Sequence, residues 1–572
     1  MKRFSFFMAV MIILALLAAC GQTAPELSEP SPAIEPVTEP APYAEDPSMA
    51  HLTPNPVETS MPIYGSTLIT GYWIPRSFDS HQKVAYGPTA TLPVFNQLVM
   101  FDINYKETVP ETIIGDLAES WEISDDGLSI TFHLRQGVKW HDGVPFTAND
   151  VIYSMDKMND VNRSAISDWF PAYESTEKLD DYTVMVHLKY PSAGFILALA
   201  QGESQIQALH LAGTDAQSAD FMVGTGPFIL TEFLTQVQLK FKRNPEYWKL
   251  DKYGNQLPYL NGMIYYHFAW KNTQEALVGR RMDMMGVMSG AGNIDTYEFI
   301  LAGAPELLWQ RRDRYTGSAI FLNLQKKILD DIRVRRAMGL LLEEENLIIG
   351  YAGDVMFGLP GAGILHPAYG LPEEEVAELM GWDKPYEERI AEAQQLMVEA
   401  GYPAGFEMDM MSAEAGSRGN TGATLIFAEA LRKHLKIDAS ISSGLGTIEI
   451  EKRLEEGSYD TYTRTLEVPD PLQLTIYFGT EGYANHSRYS NPELDKILAE
   501  LDHILDPDKR REAIWELERI LLTDKAALPT GCFVPNFMPY YPYVKNLRWN
   551  YISYSNISRL EDVWIDESLR VK

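Results

Sequence analysis

Leu117–Met155, LAESWEISDDGLSITFHLRQGVKWHDGVPFTANDVIYSM, carries strand, turn and helix-cap signals in close succession. Leu128, Ile130, Phe132 and Leu134 alternate with Ser129, Thr131, His133 and Arg135, the period-two pattern of a strand with one buried and one wet face. Just before it, Asp125-Asp126-Gly127 supplies side-chain acceptors and a residue free to take positive φ. The chain is therefore expected to reverse there, pairing Trp121–Ile123 with the new strand in a hairpin. After Trp140-His141-Asp142-Gly143, Thr147 stands as a helix N-cap with Asp150 three residues on, and Phe146 and Val151 have the spacing of a hydrophobic staple. These signals predict a helix through at least Met158.

Working outward, Tyr182, Val184, Val186 and Leu188 alternate with polar residues and predict a second half-buried strand, and Val237, Leu239 and Phe241 a third. Between them Gly224-Thr225-Gly226-Pro227-Phe228 reads as a rigid turn; a phosphate loop would need a following Lys and Ser or Thr at fixed spacing, and they are not there. Ile390, Ala393, Leu396, Met397 and Ala400 mark one helix face closed by Gly401. Asn491-Pro492 opens a helix with Leu494, Ile497, Leu498, Leu501 and Leu505 on its core side, and Asp506-Pro507 opens another carrying Ile514, Leu517 and Leu521. The class is mixed α/β.

The N-terminus reads as an address. Lys2 and Arg3 precede an apolar run from Phe4 to Leu17, too short for a permanent membrane span and right for the core of a secretory signal. It ends at Leu17-Ala18-Ala19-Cys20-Gly21, which resembles the bacterial lipobox: a signal peptide over 1–19, cleavage before Cys20, and diacylation of that cysteine. Two acyl chains make a stable anchor. Cys532 is the other cysteine, so an intrachain disulfide is not expected, and Cys532 reads as a packed, inert thiol. Residues 20–59 are rich in Pro, Glu, Ala, Ser and Thr, a composition that buries too little apolar surface to offset its ordering entropy. They read as a tether, reaching up to about 100 Å at roughly 3 Å per residue.

The rest is long enough for two or three domains, and 45% hydrophobic content fits a globular protein. A formal net charge of −31 argues against nucleic acid and against docking on anionic lipid, both of which need Lys and Arg clusters.

The opening stretch resembles the signature region of the family 5 extracellular solute-binding proteins, the peptide and nickel binding components of ABC importers. Val223–Phe228 followed by Lys242-Arg243-Asn244-Pro245-Glu246-Tyr247-Trp248 is similar to that family's next block. Asp331-Ile332-Arg333-Val334-Arg335-Arg336-Ala337-Met338 resembles the segment opening its second lobe, and Ser490-Asn491-Pro492-Glu493-Leu494-Asp495-Lys496 a late block. The four blocks stand in order and cover nearly the whole chain after the tether.

The resemblance implies a two-lobed, periplasmic-binding-protein-like clamshell with an additional subdomain on the first lobe. Lobe one would span 60–314, lobe two 315–529, and 530–572 would return to lobe one, with crossings near Arg314 to Phe321 and Leu528 to Asn536. It implies hinge closure on a peptide or similar small solute, delivery to ABC permease subunits, no enzymatic step, no cofactor and a monomer. The location is exported and lipid-anchored, in the periplasmic space if the cell is Gram-negative. In peptide-binding relatives an acid in an Asp-Pro segment of lobe two pairs with the ligand's α-amino group, and Asp470-Pro471 stands in a matching place. Glu467, Val468 and Pro469 precede it where relatives often have aromatics. Asp470 is read either as that contact or as a capping residue, and Arg464 either as a partner for a ligand carboxylate or as half of an ion pair. Tyr86 and Gly87, before Pro88, lie where relatives offer backbone groups to the ligand, or form an ordinary turn.

Other chemistry has less behind it. Trp140-His141-Asp142-Gly143 has no second metal ligand at helical or hairpin spacing, and His81, His366, His434 and His486 are scattered, so no metal site is expected. No Gly-x-Ser-x-Gly elbow or Cys-His pattern motivates acyl transfer. Two alternatives stay open: the same fold binding an oligosaccharide, opine, haem or nickel complex, and an exported carbohydrate-active hydrolase with a catalytic carboxylate pair.

Overall fold

The structure is a computed structural model that describes residues 52–72, 77–82, 90–267, 270–286, 292–412, 418–551 and 559–570. The expected signal peptide, Cys20, most of the tether, Tyr86 and Gly87 lie outside the described residues.

The hairpin forms as its turn chemistry dictates. Gly127 takes φ +69, and the Asp126 carboxylate accepts from Leu128 N–H at 3.0 Å and from the Ser124 hydroxyl at 2.7 Å. Ala118–Ile123 pairs antiparallel with Ser129–Leu134, setting Trp121 opposite Phe132. Along Ser129–Leu134 every second side chain is buried, while Leu128, expected in that core row, is 39% exposed because it still belongs to the turn. Thr183–Leu188 and Tyr173–Asp180 complete a four-stranded antiparallel sheet. The helix Ala148–Met158 follows Thr147, whose backbone N–H donates to the Asp150 carboxylate at 2.9 Å, and Phe146 and Val151 are both fully buried.

The two glycines of the Gly224–Phe228 turn are there for close approach. A Cβ on Gly224 would lie 1.8 Å from the Val94 carbonyl oxygen, and one on Gly226 2.6 Å from it. Gly226 N–H donates to that same oxygen at 2.8 Å. His141 clasps the turn from the other side: its backbone N–H donates to Gly224 O, Nε2 lies 2.9 Å from Gly226 O, and Nδ1 accepts from Gly224 N–H at 3.3 Å. The ring is therefore the neutral tautomer with the proton on Nε2, in line with burial pushing its pKa down to about 4.

Two cores divide the body. The first gathers Leu68, Phe132, Trp140, Phe228 and Leu239 with Met538, Val544 and Val563 from the C-terminal end. Its other four-stranded sheet runs Gly65–Tyr72, Leu260–His267, Gln238–Arg243, Phe228–Leu234, with the first pair parallel and the others antiparallel. The second core gathers Ile320, Val334, Leu347, Met410, Leu431 and Leu517 around a five-stranded sheet. Its order is Asp438–Ser442, Glu407–Ser412, Thr461–Glu467, Thr316–Leu322, Ala527–Pro529. Thr316–Leu322 is buried at every position, as befits a strand with neighbours on both edges and helices over the sheet. Helices cover it with the expected caps: Asn491 accepts from Glu493 and Leu494 N–H, Asp506 from Lys509 N–H, and Gly401 takes φ +90 after Tyr386–Glu399. Leu505, assigned to a core face, is 48% exposed because the helix Pro492–Leu501 ends before it.

The chain passes between the cores twice. Leu308–Arg312 pairs with Asn536–Tyr540 on the first side, and Thr316–Leu322 with Ala527–Pro529 on the second. The changes of side fall in Asp313–Tyr315 and Thr530–Pro535, so Thr316–Phe321, expected to bend, is a ladder strand of the second sheet. Packing also begins earlier than residue 60. Leu52 is 7% exposed within the second core, and Asn55 Nδ2 donates to the carbonyls of Ile103, Tyr105 and Trp549.

Candidate functional site: the junction of the two cores

At the first crossing, Tyr315 is enclosed by rings, with His366 at 5.0 Å and Tyr369 at 5.4 Å between centroids. Its hydroxyl accepts from Thr108 N–H at 3.0 Å, while Tyr369 donates to Thr108 O at 3.1 Å. A residue of the loop that follows Val99–Phe101, packed against the second core through Val109, is thus gripped on both backbone groups by Tyr315 and Tyr369. At the second crossing Phe533 packs over Gly317, where a Cβ would fall 2.6 Å from the ring. A cavity of about 490 Å³ opens beside this joint, walled by Glu107, Val109 and Glu111 from one side and by Tyr369, Arg510 and Ile514 from the other.

Asp470 borders this joint. It caps the short 3-10 turn Pro471–Gln473, accepting from Leu472 N–H at 2.7 Å, and Arg510 Nη2 lies 3.0 Å from each of its oxygens. The pair is largely buried, with side chains 15% and 9% exposed. Arg464 sits on the strand Thr461–Glu467, its guanidinium 5.5 Å from the centre of the Tyr477 ring and in contact with His486 Nε2. Burial, with the Arg464 and Arg488 charges, pushes His486 down to about 3, so a neutral ring accepts from Arg464. The structure therefore shows both acid and base already engaged, and does not bring Asp470 and Arg464 into contact with each other.

Two further contacts join elements of the two cores. Arg418, before the helix Gly419–Leu435, reaches Asp295 at 3.1 Å. The Asp502 carboxylate accepts from Ser192 Oγ at 2.8 and 2.9 Å and from Gly194 N–H at 2.9 Å. Among the described residues no group of three or more His, Cys, Asp and Glu is placed to hold a metal ion. Cys532 is buried within the second crossing, and burial pushes its thiol up to about 12, which leaves it unreactive. Arg510, His366 and Tyr369 are the residues that sequence reasoning missed at this joint. Arg510 lies forty residues from Asp470, and no spacing rule links them.

Two cores joined by a pair of crossing segments, with charged and aromatic side chains gathered at the joint, define a two-lobed binding protein. The description "Bacterial extracellular solute-binding proteins, family 5 Middle" matches residues 112–485, and the chain belongs to that family. Family members bind and hand over solutes; they are not enzymes. Among curated relatives, "Di/tripeptide-binding protein 3" of Pseudomonas aeruginosa is 27% identical over 489 residues, covering 78% of this chain and 86% of its own. "Heme-binding protein A" of Haemophilus influenzae is 26% identical over 487 residues, covering 79% and 84%. Among solved structures, the ABC transporter substrate-binding protein CtaP of Listeria monocytogenes superposes with a TM-score of 0.75 at 18% identity, over 88% of this chain and 99% of its own. The HbpA2 structure from Haemophilus parasuis superposes at 0.72 and 22% identity, over 88% and 100%.

Proposed function

We propose that this chain captures a peptide, or a similar small solute, between its lobes and delivers it to the permease of an ABC importer. The carrying observation is the pair of crossings in a chain of this family: two separately packed cores joined at Asp313–Tyr315 and Thr530–Pro535 form a hinge. A solute touching both lobes stabilises the closed arrangement only by its extra affinity for it, and moving the balance from 1:99 to 99:1 takes roughly 10⁴-fold preference. The di- and tripeptide binders among the relatives support a peptide cargo. In this reading Asp470 and Arg464 meet the peptide's ammonium and carboxylate from lobe two, and Tyr86 and Gly87 meet its backbone from lobe one. Each charged contact replaces one that the side chain now makes inside the protein. Lipidated Cys20 and the segment after it hold the body at the membrane surface, and the chain works as a monomer.

A thermal-shift screen with di-, tri- and longer peptides, haem, sugars and nickel chelates tests the cargo. A ligand at 100 times its Kd stabilises by about 2.7 kcal/mol, a clear rise in Tm. Peptides are expected to give that rise; a rise with another class and none with any peptide would overturn the cargo. Replacing Cys20 with Ala should release the protein from the membrane fraction.

A further inference from the structure

One contact between the lobes lies away from both crossings. Residues 190–194 fall between Leu188 and Phe195, both in the first core, and residues 502–505 follow Leu498 and Leu501, both in the second. Asp502 is 5% exposed, and its donors stand on the first lobe. Ser192 Oγ lies 2.9 and 2.8 Å from its two carboxylate oxygens, Gly194 N–H donates to Oδ1 at 2.9 Å, and the Tyr190 hydroxyl bonds the same group. Ala193 N–H donates to the Asp502 carbonyl at 2.8 Å. The His503 ring is 4.5 Å from that of Tyr190. Leu505 reaches the hairpin turn: its Cδ1 lies 3.2 Å from where a Cβ on Gly127 would stand, so the glycine that reverses the chain also makes room for the second lobe.

The helix that carries Asp502 gains nothing from it. The residue is the C-cap of Pro492–Leu501, where a carboxylate faces the negative end of the helix dipole. A buried carboxylate is tolerated only with donors on it, and here they come from the other lobe. Neither segment belongs to a crossing, so chain continuity does not keep the two together. They meet while the lobes are drawn together and part when the lobes swing open, where water takes over the carboxylate. We propose that Asp502 and Tyr190–Gly194 form a latch that holds the lobes in their closed arrangement. This rests on the hinge reading above and adds to it a contact outside the cargo residues named there. Latch and cargo favour the same arrangement, so each strengthens the other by the same factor. A chain with a broken latch spends less time closed, and its apparent cargo affinity falls by that fraction.

Distances between spin labels on the full chain test this. Val161→Cys and Ile448→Cys, at positions 77% and 84% exposed on lobes one and two, carry the labels, Cys20→Ala removes one other thiol, and buried Cys532 stays unlabelled. Without ligand, Asp502→Ala should deplete the latched distance about tenfold and the milder Ser192→Ala about threefold. The tripeptide trialanine, followed by calorimetry, should bind Asp502→Ala about tenfold more weakly. Unmoved distances in both variants overturn the latch, and so does tighter trialanine binding, which would put the contact in the open form. Moved distances with unchanged trialanine affinity keep the latch and remove this peptide from the closing step. Where trialanine moves the labels of the parent chain and both variants match it throughout, the hinge stands and the latch falls.

Discussion

Arg510 lies 3.0 Å from both carboxylate oxygens of Asp470, so the acid proposed to receive a cargo ammonium already has a cation on it. A cargo ammonium would therefore exchange with a guanidinium instead of filling an unmet charge. The net affinity from such an exchange is smaller than that of a lone carboxylate screened from water.

Asp470→Asn separates the two roles of that residue. The amide still caps Pro471–Gln473 but no longer balances Arg510, which is expected to cost about 1–3 kcal/mol, below the full buried-pair value because the pair is partly exposed. If Asp470 also holds the cargo's α-amino group, peptide affinity measured by calorimetry falls about tenfold or more. A lower Tm with unchanged affinity would leave Asp470 as a cap and ion-pair partner only.

Arg464→Ala should weaken peptides with a free C-terminal carboxylate more than their amidated forms. The same change removes one of the two positive charges beside His486, so its pKa rises from about 3, though burial, the largest cause, keeps it below the ordinary value of 6.5. An NMR titration of His486 reads this directly, and an unmoved titration would contradict the contact.

Gly224→Ala forces a methyl to within 1.8 Å of a backbone oxygen and should prevent folding or cost more than about 4 kcal/mol. Gly446→Ala is the control: nothing lies within 4 Å of its Cβ and its φ is −69, so urea unfolding should show a change of less than about 1 kcal/mol.

Stability should peak near neutral pH. Burial raises Glu344 to about 8 and Glu518 to about 7, from an ordinary 4.5. Between about 4.5 and those values the folded chain holds protons that the unfolded chain has lost, so stability falls as pH rises, by up to about 1.4 kcal/mol per pH unit for each group. Burial lowers His81, His141 and His366 to about 4 and His486 to about 3, from 6.5. Below about 6.5 the unfolded chain therefore takes up protons that these four refuse, and stability falls as pH drops. A Tm maximum between about pH 6 and 7 is expected, with Glu344→Gln flattening the limb above it. A Tm that climbs steadily from pH 6.5 to 8 would contradict the assignment.

Local chemistry was legible in the sequence wherever a few neighbouring residues decide the outcome. The Asp126-Gly127 reversal, the Thr147–Asp150 box and the Asn491 and Asp506 caps each involve groups within four residues of one another. What escaped depends on distant partners. Leu52 reads as tether by composition, yet it is buried because the second core passes beside it. Residues 316–321 read as the bending end of a strand, but both edges of that strand are paired by strands more than a hundred residues away. The joint was the least legible part, since the Asp470–Arg510 contact joins residues 40 apart and the Tyr315–Thr108 contact residues 207 apart, and no local spacing rule reaches that far.

The clasp between His141 and the Gly224–Gly226 turn has a consequence for building chimeras. Its two halves lie about eighty residues apart in the chain but share three backbone and ring contacts, so they form a single part delivered in two pieces. Transplanting residues 117–158 from another family member should succeed only when the donor's 224–228 segment, and the Val94 carbonyl it presses against, travel with it.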